Sequence, residues 1–192
     1  MQVQTFTGPI ALDQLGRTLM HEHLFIAFPG AEFDPTATFD RAEFITEAVR
    51  RLRQLRTEHG VRSFVGPCPI RLGRDAALMR EIAEKSEMNV VCTTGFYFEE
   101  MGLPIYWRAR TVTEIAELYI RELTHGIGTT GVKAGAIKVA TGGWLPPYTH
   151  LFTNFVPMLK DRGLSDHEVD AIRHDNPRRF FAGEPLPRMN EV

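Results

Sequence analysis

The stretch VRSFVGPCPIRLGRDAALMREIAEKSEMNVVCTT, Val61 to Thr94, holds two short apolar runs with a helical pattern between them. Val61–Pro67 (VRSFVGP) and Asn89–Thr94 (NVVCTT) have strand length and β-branched content, and Gly95 ends the second. A loop with Gly73 leads into a helix predicted from about Asp75 to Glu87. Strands joined through a helix call for parallel pairing, because a parallel pair needs a crossover of about a dozen residues or more.

The same alternation continues on both sides. Upstream, Phe44, Ile45, Ala48, Val49, Leu52 and Leu55 recur at steps of three and four within Arg41–His59, and Gly60 is a natural stop. Before that helix, a loop rich in Gly, Pro and Asp follows a short strand at Arg17–His21 (RTLMH), and the chain starts with a lead containing Gly8-Pro9. Downstream, a long loop carries Phe96, Tyr97, Phe98, Met101 and Trp107. A helix begins near Thr111, where Thr111 and Glu114 have capping-box spacing, and runs to about Thr124. Gly126, Gly128 and Gly131 then connect to a strand at Ala134–Ala140 (AGAIKVA). Strands alternating with amphipathic helices predict an α/β fold, a parallel sheet covered by helices and wound in one direction.

The pattern breaks at Gly142-Gly143-Trp144-Leu145-Pro146-Pro147. Two helical stretches follow without a strand between them. One runs from about Thr149 to Asp161; the other starts at Ser165, with Glu168 at capping-box spacing, and is expected to stop before Asn176-Pro177.

With 192 residues, 43% apolar and 24% charged, the chain suits one soluble domain spanning residues 1–192. A net charge of -2 argues against a nucleic-acid partner. The basic cluster Arg50, Arg51, Arg53 and Arg56 is interleaved with Val49, Leu52 and Leu55 and reads as the solvated face of a helix. Cys68 and Cys92 lie in apolar segments and read as buried thiols rather than a disulfide framework. No stretch has signal-peptide or membrane-spanning character, so a cytoplasmic protein without a membrane partner is expected.

Chemistry enters at His21-Glu22-His23, just where the first of these strands ends. Residues two apart in an extended chain face the same side, so both imidazoles could reach one cation, for which they are good ligands. Strand carboxyl ends are where ligands sit in parallel α/β folds. A pair of loop histidines without a metal is the plainer alternative. Lys138, flanked by Ile137 and Val139, faces an apolar environment that favours the neutral amine. It could serve as Schiff-base lysine, general base or carbamate, or its ammonium could simply reach water. Tyr97 follows a strand's carboxyl end and could polarise a substrate oxygen or pack with Phe96 and Phe98. His59, His125, His150, His167 and His174 lack mutual spacing and read as surface or capping groups.

HEHL (His21–Leu24), GPCPIRLGRD (Gly66–Asp75) and AGAIKVAT (Ala134–Thr141) together resemble the phosphotriesterase family of the amidohydrolase superfamily, which includes phosphotriesterase-like lactonases. The stretch from Thr149 to Phe181 is similar to the family's closing helices. The resemblance implies a TIM barrel with two divalent metals at the strand carboxyl ends. Zinc is the first expectation for these, with cobalt, manganese or iron as alternatives. It places His21 and His23 as metal ligands, Lys138 as a bridging carbamate made with carbon dioxide, and Tyr97 at a substrate-facing aromatic position. The implied activity is metal-dependent hydrolysis of a small phosphotriester, lactone or other ester by a metal-bridging hydroxide.

Departures from the family are equally specific. Thr141 runs directly into Gly142-Gly143 and then the closing helices, so the segment for the family's fifth to eighth strands is missing, with a deletion junction near 141–143. A complete barrel takes about 250 residues. Gly66 stands where the family commonly has an aspartate. The expected fold is therefore a half or truncated barrel of four parallel strands plus closing helices. Its open edges suggest a homodimer that closes eight strands. A catalytically inactive remnant or binding module with an incomplete metal site is the alternative function.

Overall fold

The structure is a computed structural model that describes residues 2–97, 102–138, 156–161, 165–170 and 174–184. Gln2–Thr5 (β1) and Gly8–Ala11 (β2) form an antiparallel hairpin, where only a short lead containing Gly8-Pro9 is expected from the sequence. Pro9 conceals it, since proline is tolerated only at a sheet edge. Gly8, at φ 116°, makes the turn, and the Thr5 hydroxyl donates to its carbonyl at 2.6 Å. The hairpin is tied to the main sheet by Phe6 N donating to Val90 O at 2.8 Å.

That sheet contains Arg17–Leu19 (β3), Val61–Gly66 (β4), Asn89–Thr94 (β5) and Ala136–Ile137 (β6). The order is β3-β4-β5-β6 and every pairing is parallel, with Phe64 opposite Val90 and Thr94 opposite Ile137. This is the expected half barrel. β3 and β6 are shorter than the apolar runs around them suggest. Residues 139–140 of the anticipated last strand lie outside the described residues, as do Phe98, Met101, His150 and the junction at 141–143.

One face of the sheet packs on Arg41–His59 (α1) and Ala76–Ser86 (α2). Leu52, Leu55, Phe64, Ile82 and Val90 are each no more than 1% exposed there. Burying a side chain of this size contributes about 1.5–3 kcal/mol. The other face carries Val65 and Val91, buried with Val3 of the hairpin and Leu15. Local signals at the helix ends agree with this packing. Asp40 caps α1 by accepting from Ala42 N and Glu43 N, and Gly60 closes it at φ 64°. Each such cap is worth about 1 kcal/mol. The arginines of α1 are solvated as expected, with Arg50 and Arg51 both bound to Glu47.

Ile105–Arg108 (α3) precedes Val112–Thr124 (α4), which has the predicted Thr111–Glu114 capping box. α4 is anchored by a buried ion pair. Arg74 donates to both Glu122 carboxylate oxygens at 2.6 and 2.8 Å, and the Thr94 hydroxyl donates to the same carboxylate. The closing segments are Val156–Asp161 (α5), Asp166–Asp170 (α6) and Asn176–Ala182 (α7). Asn176-Pro177 lies at the start of α7, so the chain continues into helix past the point where the sequence predicts a stop. Proline suits the first helical turn, where its missing N–H has no partner to lose. Among the described residues no helix is long and apolar enough to cross a membrane.

Candidate functional site

β3 ends at Leu19, but its direction continues, because Glu22 N donates to Val65 O at 3.1 Å. This extension carries His21 and His23 past the carboxyl end of the sheet with their rings on a common side. Their Nε2 atoms are 3.1 Å apart, and the rings meet edge to face at 5.1 Å between centroids. On the opposite outer strand, Lys138 N donates to Thr94 O at 2.7 Å, holding the residue just beyond β6. Lys138 Nζ lies 3.3 Å from His21 Nε2. The three candidates therefore meet at one point.

The environment shifts each of them toward its uncharged form. Burial, with Lys138 adding to it, lowers the pKa of His21. For His23, burial, His21 and Lys138 together bring it down to about 4. Burial also lowers the Lys138 amine from its usual value. Neutral imidazole is the form that ligates metals, and a neutral amine is the form that reacts with carbon dioxide. Glu22, between the two histidines, is pushed up to about 7 by burial.

Tyr97 stands after β5 with its ring 5.9 Å from that of Phe28, between centroids. Phe96 turns the other way, is buried, and packs on Trp107 and Tyr119. Tyr97 thus lies on the same rim, in contact with the loop that follows the histidines.

Behind the histidines stands a residue that composition alone assigned to the core. Cys68 Sγ is 3.1 Å from His23 Nδ1 and 3.1 Å from the Phe25 carbonyl, to which it donates. Both cysteines are free and buried, as the sequence suggests, and burial pushes the Cys68 thiol up to about 12. The apolar segment around Cys68 marks it as a buried thiol and carries no signal that turns it toward His23.

Would these residues suit a cation? Two nitrogens in a tetrahedral shell at about 2.0–2.1 Å from zinc are about 3.3 Å apart. The 3.1 Å separation of the histidine nitrogens fits such an edge. Lys138 Nζ, 3.3 Å from His21 Nε2, stands where the amine, or an oxygen-bearing group such as a carbamate built on it, would join that shell. Among the described residues no group of three or more His, Cys, Asp or Glu side chains could hold a metal ion. The histidine pair and the lysine are the donors that this part of the chain offers.

A parallel half barrel with polar side chains gathered at its strand carboxyl ends defines a class, the TIM-barrel-type α/β proteins. The chain belongs to the phosphotriesterase family, whose model matches residues 1–146 and, again, 138–181. It is 34% identical over 197 aligned residues to a phosphotriesterase homology protein of Mycobacterium tuberculosis, covering 95% of this chain and 60% of that relative. It is 32% identical to an aryldialkylphosphatase of Saccharolobus solfataricus, over 66% of this chain and 40% of that one. Among solved structures, a double mutant of the organophosphorus hydrolase from Deinococcus radiodurans superposes with a TM-score of 0.68. That structure shares 37% identity and covers 79% of this chain, which in turn spans 47% of it. The chain thus spans about half the length of the relatives it matches.

Proposed function

We propose that this protein is a divalent-metal-dependent hydrolase of ester bonds, acting on a phosphotriester, a lactone or a related small ester. The observation that carries the reading is the convergence of His21 Nε2, His23 Nε2 and Lys138 Nζ within 3.1 and 3.3 Å from opposite outer strands. Family membership and the names of the relatives, a phosphatase and an organophosphorus hydrolase, support the same class.

In this reading His21 and His23 hold the cation, with zinc the first expectation and cobalt, manganese or iron alternatives. The Lys138 amine adds to carbon dioxide and releases a proton, which gives a carbamate, an anionic oxygen ligand. When bound, the cation lowers the pKa of a water and polarises the ester oxygen. Tyr97 lines the rim and orients the substrate by its hydroxyl. The chain carries an internal junction near 141–143 in place of the family's later strands, which the overlap of the matched blocks at 138–146 supports. A homodimer pairing β6 of each copy with β3 of the other restores eight strands and brings both site halves to one mouth. The setting is cytoplasmic.

A second reading is a binding module without catalysis. The limited donor set among the described residues favours it. The two are separated by metal content, measured beside hydrolysis of paraoxon and an acyl lactone, with and without chelator. Turnover that requires metal and is lost in Lys138→Ala supports the hydrolase. Bound metal without turnover of any ester supports the binding module.

A further inference from the structure

We propose that Cys68 is a positioning residue for His23, fixing the ring so that Nδ1 carries the hydrogen and Nε2 presents its lone pair toward His21. The inference rests on the reading of His21 and His23 as cation ligands, and it concerns what prepares one of them.

The geometry leaves the thiol little choice. Cys68 has one hydrogen, and the Phe25 carbonyl, 3.1 Å from Sγ, can only accept it. Sγ then has only lone pairs to offer His23 Nδ1 at 3.1 Å. A neutral imidazole has a single N–H, so an Nδ1–H engaged with sulfur leaves Nε2 bare. Nε2 is the atom turned toward His21 Nε2, 3.1 Å away. Cys68 is 7% exposed, so water does not readily replace it.

Metal-bound histidines usually give their second N–H to a carboxylate or carbonyl, and that partner sets tautomer and ring orientation. Here a buried thiol relays the same preference from a backbone carbonyl. The Phe25 carbonyl and Cys68 belong to separate loops, after β3 and β4, so the relay also ties the histidine loop to the neighbouring strand's exit.

The test uses the full chain, freed of metal by chelator and labelled with nitrogen-15 in histidine, with His23 assigned by comparison with His23→Gln. In the wild type the His23 nitrogens should show protonated Nδ1 and unprotonated Nε2. Cys68→Ala should shift His23 toward the other tautomer and weaken zinc binding about 10- to 100-fold in a chelator competition, the range usual for such outer partners. Cys68→Ser should restore both readouts in large part, since a hydroxyl can donate to Phe25 and accept from His23. An Nε2–H tautomer in the wild type overturns the proposal without recourse to any variant. So does a Cys68→Ala protein with unchanged tautomer and unchanged zinc affinity. If the tautomer shifts as expected but the wild type binds no zinc, the relay stands and the metal reading of the site fails.

Discussion

His21 Nε2 and Lys138 Nζ are 3.3 Å apart although they hang from opposite edges of the sheet. In a flat sheet, neighbouring strands are about 4.8 Å apart, so β3 and β6 would be separated by about 14 Å. The contact therefore depends on the sheet's curvature and on the lysine's length. Half a barrel already bends enough to bring its outer carboxyl ends to one point.

That closure has a weak spot at Gly95. It sits at φ 125°, and a Cβ there would overlap the Lys138 carbonyl oxygen. Gly95→Ala must push β6 away and strain the backbone, which costs on the order of 1–3 kcal/mol. The expected outcome is a lower urea midpoint together with weaker metal binding, because Lys138 moves off His21. A variant with wild-type metal affinity would show that the contact does not need this close approach.

The pH dependence of stability should show two opposing slopes around the triplet. His23 is held down to about 4 when folded, against 6.5 in its unperturbed state. Between those values the unfolded chain binds more protons, so this group's contribution rises with pH and is lost as pH falls toward 4. Glu22 is raised to about 7 from 4.5. Its contribution is complete below 4.5 and is lost as pH rises through 7. Melting curves from pH 4 to 8 should therefore be flatter for the wild type than for Glu22→Gln, which keeps the rising slope alone. Identical profiles for the two proteins would refute the assignment to Glu22.

Arg74 and Glu122 give a third test. Both side chains are at least nine-tenths buried, the carboxylate also takes the Thr94 hydroxyl, and Glu122 is the one fully buried residue of α4. Removing one partner leaves an uncompensated charge, at a cost of about 3–5 kcal/mol. Glu122→Leu and Arg74→Met should each lose about that much in chemical denaturation. The double variant should recover most of it, since an apolar pair of similar volume is often neutral. Additive losses in the double variant would argue against direct coupling.

How far the sequence could be read follows from which forces act locally. The spacing of Phe44 to Leu55 and the Thr111–Glu114 box express helix geometry within a few residues, and those helices appear where the spacing puts them. β4 and β5 were legible because each is a short segment with apolar and β-branched content, bounded by turn residues. The hairpin was not, since its pairing partners include a proline and its stabilisation comes from β5, far along the chain. His21, His23 and Lys138 could be named from motif and resemblance, and the structure brings them together. Cys68 could not be placed beside His23, because a buried thiol in the core and one turned toward a histidine have the same sequence. The Arg74–Glu122 pair spans separate elements and left no periodic trace either.

The last prediction concerns assembly. In the main sheet β3 and β6 each have one strand neighbour among the described residues, and Ile137 on β6 is 55% exposed. Exposed apolar edges pair with other strands unless charge or proline blunts them. If two copies close the barrel through these edges, sedimentation should give a dimer of the 21.8 kDa chain. Ile137→Lys places a charge on the edge without touching the buried core, so it should dissociate the dimer at micromolar concentration and leave the monomer's helical signal intact. Because each site half would lose its counterpart, metal affinity should fall in step with dissociation. A wild-type protein that is monomeric at every concentration would rule out this closure.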